Sequence, residues 1–189
     1  SDGESIESVS MSYKYGSTLC VSSQAGCKLG CVFCATGAGG FSRNLAPSEM
    51  LGQIHAAQKD TEEKVSRVVL MGMGEPLDNF DNVVRFIELM ADSGGLNIGM
   101  RNISLSTCGI VPGIYRLLEK RIPLTLSVSL HAPNDQIRDI LMPVNKRYPI
   151  DSLLEACAKY ARITSRRISF EYALFKGVND SEDYAKQLS

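Results

Sequence analysis

Apolar and polar positions along the chain switch repeatedly between a strand period and a helix period. Ser17 to Ser22 reads as a strand, with an antiparallel partner expected around Ile6 to Ser12. A Gly- and Cys-rich loop follows from Gln24 to Gly40, and Pro47 then opens a helix. Its positions Met50, Leu51, Ile54 and Ala57 share one face, with Glu49 in the first turn. Val65 to Met71 is a buried-strand run, and Asn79 is the expected cap of a helix that turns Val83, Val84, Ile87 and Met90 inward. Asn102 to Thr107 is the third strand of the series, and Ile114 to Leu118 lies in a short helix. Leu124 to Leu130 is the fourth strand, Ser152 to Tyr160 is helical, Ile168 to Phe175 is the fifth strand, and Ser181 starts another helix. There is no internal repeat, low-complexity tract or linker, so residues 1–189 read as one domain.

Strand–helix alternation indicates an α/β fold with a parallel sheet. Two strands sharpen this. In the fourth, Leu124, Leu126, Val128 and Leu130 alternate with Thr125, Ser127, Ser129 and His131; in the fifth, Ile168, Phe170, Tyr172 and Leu174 alternate with Ser169, Glu171, Ala173 and Phe175. Parallel strands covered on both faces normally read as continuous apolar runs. Here the apolar lane is expected to pack under helices, and the polar lane to face a lumen holding a polar cofactor, as in a barrel or half-barrel. An antiparallel sheet with one wet face is the alternative, and the intervening helices argue against it.

Composition adds little. With 189 residues, 44% hydrophobic and 22% charged, the chain suits one ordinary globular domain. Its apolar runs are too short to span a bilayer, and no secretory signal is visible. A net charge of −1 argues against a strongly basic nucleic-acid module. The six cysteines matter more, because three of them fall within eight residues. A secreted disulfide framework is the plain alternative, but the chain is larger than most such scaffolds. A metal site in a reducing cytoplasm fits better.

The stretch runs Gln24-Ala-Gly-Cys27-Lys-Leu-Gly-Cys31-Val-Phe-Cys34-Ala-Thr-Gly. Thiolates so spaced converge on one small object when a glycine-rich loop wraps it. A structural zinc site competes, but zinc is normally closed by four ligands, often as two C-x-x-C pairs. No second pair occurs, and His55 and His131 lie in unrelated contexts. Three ligands and an open iron is the pattern of a reactive cluster.

C-x-x-x-C-x-x-C with an aromatic residue, Phe33, before the last cysteine resembles the signature of the radical S-adenosylmethionine (SAM) superfamily. Cys20-Val-Ser-Ser-Gln-Ala-Gly-Cys27, Gly72-Met-Gly-Glu-Pro76, Ser129-Leu-His-Ala-Pro-Asn134 and Pro143-Val-Asn-Lys146 further resemble its RNA adenine-C2 methyltransferases, over about Ile6 to Lys186. The resemblance implies an incomplete (β/α) barrel, here cut after the fifth barrel strand. It also implies a [4Fe–4S] cluster on Cys27, Cys31 and Cys34, with SAM on the free iron and a 5′-deoxyadenosyl radical from its reductive cleavage. Phe33, Gly74, Glu75, Ser106, Ser129, Leu130 and His131 would contact the cofactor. In this family a cysteine near the C-terminus is methylated and passes its methyl to adenine C2 of ribosomal and, in dual-specificity members, transfer RNA. Cys20 would help release the RNA adduct, and Glu7 would accept a proton. An external one-electron reductant such as flavodoxin is implied, with no membrane partner and a cytoplasmic location.

Several readings stay bland. Cys108 and Cys157 read as structural, and His55 as structural or exposed. Arg43, Lys146, Arg147, Arg166 and Arg167 are candidate RNA contacts that more often are solvated surface. The resemblance places the methyl-carrying cysteine beyond Ser189 and a small RNA-contacting domain before Ser1. The expectation is therefore a core fragment that does not complete methyl transfer alone. The adenine-C8 methyltransferase of the same superfamily and a non-catalytic Fe–S or zinc module are the rival readings.

Overall fold

The computed structural model describes residues 2–14 and 16–189. Strand β1 (Val9–Tyr13) turns back on β2 (Gly16–Cys20), and β3 (Gln24–Gly26) follows within a few residues. A one-turn helix α1 (Ala35–Ala38) leads into β4 (Phe41–Asn44), which pairs with β3 as a separate two-stranded hairpin. Then come α2 (Pro47–Thr61), β5 (Val65–Leu70), α3 (Phe80–Ala91), β6 (Ile103–Thr107) and α4 (Val111–Glu119). The chain continues through β7 (Thr125–Ser129), α5 (Asp135–Leu141), α6 (Ile150–Thr164), β8 (Ile168–Glu171) and α7 (Glu182–Leu188).

The main sheet runs β1-β2-β5-β6-β7-β8, antiparallel at its first pair and parallel at every other. Sequential parallel neighbours joined by helices are the order of a (β/α) barrel. The sheet is open among the described residues, so this is a mixed α/β partial barrel, in agreement with the sequence reading.

The helices form where the apolar stripes predicted them. Pro47 supplies a pre-set first turn for α2, and the Glu49 carboxylate reaches back to accept from the Ala46 N–H at 2.8 Å. Met50 and Ile54 are buried in the main core, with Leu51 and Ala57 packed against it. Helix α3 buries Val83, Val84, Ile87 and Met90 as expected, together with Phe80 and Phe86. His55 is exposed and Cys157 is buried in the core.

Two expectations need correction. Asn79 precedes α3 but does not cap it with its side chain. Its amide instead donates to the carbonyls of Ser23 and Leu45, both at 2.8 Å, tying the start of α3 to the residues that flank the hairpin. The side-chain cap falls on Asn134, whose Oδ1 accepts from the Ile137 N–H at 3.0 Å and starts α5. In β8 the apolar lane is also not fully covered. The strand ends at Glu171, short of the expected Phe175, so Leu174 lies beyond it and is 73% exposed, while Phe170 is 44% exposed on an apolar groove formed with Leu130, Leu154 and Leu188. The fourth strand behaves as expected: Leu124, Leu126 and Val128 are fully buried, and Ser129 and His131 face a cleft.

Tyr160 of α6 closes the lower end of β7. Its hydroxyl donates toward the carbonyls of Ile122 (2.9 Å) and Leu124 (3.1 Å) and accepts from the Leu124 N–H. Burial pushes this phenol up to about 12. Replacing Tyr160 by Phe removes the donor shared by the Ile122 and Leu124 carbonyls and leaves the Leu124 N–H only its bond to Ile122 O at 3.1 Å. The expected cost is about 1–3 kcal/mol, read as a lower urea midpoint with an unchanged m value.

Candidate active site

The carboxyl ends of β5, β6 and β7 and the loop after β3 enclose one cleft of about 160 Å³, open to solvent. Cys27, Cys31 and Cys34 line it, together with Phe33, Gly74, Glu75, Ser106, Ser129 and His131. A partial barrel places such a cleft at the end where its strands stop.

The cysteine loop is anchored at three points. The Cys27 N–H donates to Gly40 O at 2.8 Å, closing the base of the hairpin. Cys34 N–H donates to Cys31 O at 3.1 Å, so the last two thiols share one tight turn. Val32 N–H donates to Leu141 O at 3.0 Å, docking the loop on the end of α5. Gly26 has φ +78°, and a Cβ there would overlap the Gly40 carbonyl oxygen. Burial raises the Cys27 thiol and raises Cys31 to about 11, with the neighbouring cysteines adding to both shifts. Loading a metal at these thiols therefore expels protons.

Gln24 is fully buried and joins this loop to the β5 turn. Its Nε2 donates to Asn44 Oδ1 (2.7 Å) and Asp78 Oδ2 (2.8 Å), and its Oε1 accepts from the Glu75 N–H at 2.8 Å. Gly74 sits at φ +96° directly against Gln24, where a Cβ would meet the glutamine Cβ at 2.5 Å. The Glu75 carboxylate is 4% exposed and accepts from Cys108 N–H (2.7 Å) and Leu77 N–H (3.0 Å). Burial pushes this carboxyl up, and the bonds from Cys108 and Leu77 work against that.

His131 lies at φ +55°, unusual for a residue with a side chain. Its Nδ1 accepts from the Ala173 N–H at 3.0 Å, so the neutral ring carries its proton on Nε2. Burial lowers its pKa, and the positive charge of Arg138 does so further. Phe33 meets the imidazole edge-on with ring centres 5.0 Å apart, and packs at a tilt against Phe175, also at 5.0 Å.

Three expected site residues lie apart from this cleft. The Leu130 side chain lines the apolar groove on the other face, and its carbonyl accepts from Arg138 Nε. Cys20 is half-buried at the end of β2; burial raises its thiol, and a bond from the backbone of Met71 opposes the rise. Glu7 lines a second cleft of about 360 Å³ with Glu4, Gly26, Ala35, Thr36 and Met73, alongside the cysteine loop. Of the basic candidates, Arg43 is paired with Asp2 (2.6 Å) and Glu49 (2.8 Å), while Lys146, Arg147 and Arg167 are exposed.

Sequence reasoning missed Cys108 as a cleft residue, together with Gln24 and Arg138, which position the walls. Arg138 is fully buried and donates to the carbonyls of Leu130 (3.1 Å), Ser129 (2.9 Å) and Cys108 (2.7 Å) and to Asn145 Oδ1 (2.9 Å). An arginine two residues before an apolar pair, in a helix capped by Asn134, was the available signal.

Among the described residues no three His, Cys, Asp or Glu side chains converge as they would around one ion. A four-iron cluster takes each thiolate on a different iron, so three thiols set apart around one cleft suit it.

The chain belongs to the radical SAM superfamily, whose family model matches residues 21–188. With that membership come a [4Fe–4S] cluster and SAM as the implied cofactors, as the motifs led us to expect. More particularly, the chain is 54% identical over 188 residues to a probable dual-specificity RNA methyltransferase RlmN of Desulforamulus reducens, covering 100% of this chain and 54% of that protein. It is 55% identical over 188 residues to the like-named protein of Clostridium botulinum, covering 100% of this chain and 55% of the relative. The solved structure of a radical SAM methyltransferase from Sphaerobacter thermophilus superposes with a TM-score of 0.95 at 46% identity, covering 99% of this chain and 56% of that one. The chain thus spans about half the length of the relatives it matches.

Gly26→Ala should spread the base of the β3–β4 hairpin and misplace Cys27. Iron and sulfide bound after anaerobic reconstitution should fall well below wild type. Gly52→Ala, where the added Cβ meets nothing within 4 Å, should keep full loading and gain up to about 1 kcal/mol of helix stability.

Proposed function

We propose that this chain is the radical SAM core of an RNA methyltransferase acting at C2 of adenine in ribosomal RNA and in transfer RNA. The observation that carries this reading is the sharing of one cleft by Cys27, Cys31 and Cys34 with Gly74, Glu75, Ser106, Ser129 and His131. The relatives named as dual-specificity RNA methyltransferases, at 52–55% identity, support the choice of substrate.

Each residue has a task in this reading. The three cysteines anchor the cluster, and Gly74 lets a bound molecule approach the backbone closely. Glu75 presents its carboxylate to the SAM ammonium. Ser106 and Ser129 supply hydroxyls for its carboxylate or ribose. His131 presents Nε2–H as a donor, and Phe33 holds that ring in place. A cluster held by Cys27, Cys31 and Cys34 would supply one-electron chemistry for SAM cleavage, with an external one-electron reductant such as flavodoxin as the source. We assign the second cleft to the target base, with Glu7 as proton acceptor, and Cys20 to release of the RNA adduct. A cytoplasmic location accords with such a substrate, and no helix among the described residues is long and apolar enough to cross a membrane.

The test is anaerobic reconstitution followed by EPR with and without SAM. Wild type should bind a four-iron cluster whose reduced spectrum changes on adding SAM. Alanine at Cys27, Cys31 or Cys34 should abolish both the cluster and that change. Tight zinc with no SAM effect would sink the reading, and C8-methyladenine in treated RNA would replace it with the rival specificity.

A further inference from the structure

Arg138 is a fully buried cation whose four hydrogen bonds all go to neutral acceptors: three backbone carbonyls and the Asn145 amide oxygen. The acids closest to it, Asp135 and Asp139, lie one step removed, accepting from the Asn145 amide at 2.9 and 2.7 Å. A buried charge left to neutral partners is costly, and a low-dielectric setting carries its field further than water would. On the cleft side its Nη2 donates to the carbonyls of Cys108 at 2.7 Å and Ser129 at 2.9 Å, both residues of the cleft wall. The helix that bears it is docked to the cysteine loop by the Val32–Leu141 hydrogen bond at 3.0 Å.

We propose that Arg138 is the counter-charge of the cluster: a positioning residue that makes the cluster easier to reduce. This rests on the cluster reading above. One electron from the external reductant leaves the cluster and its thiolates one charge more negative, with no proton or bond exchanged. A fixed cation behind the cleft wall at Cys108 and Ser129 stabilises the reduced state more than the oxidised one. The guanidinium suits this role because it stays charged when buried.

The test is an EPR-monitored redox titration of the reconstituted protein without SAM. Arg138→Met should lower the reduced-to-oxidised ratio at a fixed poise at least tenfold, a shift of 59 mV for a one-electron couple. Arg138→Lys keeps the charge but loses the fork, and should stay within that margin of wild type. Asp139→Asn can still accept from Asn145 while losing its negative charge, so it should shift the potential upward. Equal downward shifts in the Lys and Met variants, or no upward shift in Asp139→Asn, would overturn the proposal. If Arg138→Met takes up no iron, the sign of the Asp139→Asn shift decides alone. A wild type that takes up no cluster removes both this proposal and the reading beneath it. A loaded wild type with unmoved variants removes this one only.

Discussion

Parallel strands that stop inside a protein leave backbone donors and acceptors that water does not reach, and each must find a partner. At the end of β6 this requirement falls on Cys108, whose N–H donates to Glu75 and whose carbonyl accepts from Arg138. One buried acid and one buried base thus meet through the backbone of a single residue. Glu75 comes from the turn after β5 and Arg138 from the helix after β7, so three successive strand–helix units are locked at this point. Ser106, Ser129 and His131 are held at their present spacing because the strand ends beneath them cannot drift.

The cysteine loop is fitted to this frame rather than built into it. Gln24 reaches from the hairpin to the Glu75 backbone, and Asn79 reaches from α3 to the carbonyls of Ser23 and Leu45. Leu141 O then receives the loop from the other side through the Val32 N–H. Side-chain amides suit these links because each carries both a donor and an acceptor and spans irregular backbone without a ladder. Three thiols on a glycine-rich loop would otherwise be free to move apart. Their convergence comes from the neighbours that pin the loop, while the C-x-x-x-C-x-x-C spacing only makes it reachable.

The regular elements were legible because burial imposes a period. The stripe Met50, Ile54 and the lane Leu124, Leu126, Val128 each mark a surface that must leave water. The cluster cysteines were legible because their spacing has few structural uses. The β3–β4 hairpin was not, since its strands are three and four residues long and the Gln24–Gly40 stretch shows no alternation. Helix α5 was missed because it is short and its buried face is built around Arg138 instead of an apolar stripe. Asn79 was misread because an asparagine before a helix is normally its cap, and only the nearness of Ser23 and Leu45 gives it a better use. Polar groups buried for the sake of distant backbone leave no periodic trace.

The same reasoning ties site formation to folding of the whole core. Glu75 and Cys108 are 33 residues apart in the chain, and Arg138 and Cys108 are 30. Neither contact is worth its desolvation unless the strands between them are already paired, because a lone buried charge costs more than one hydrogen bond returns. The thiols point the same way: burial holds Cys27 and Cys31 in their protonated form until a metal displaces the protons. The Arg138 guanidinium reaches the same cleft wall through the Cys108 and Ser129 carbonyls, opposite in sign to the Glu75 carboxylate that accepts from the Cys108 N–H. Thiolates that form there on metal loading therefore meet a fixed cation already built into the folded core.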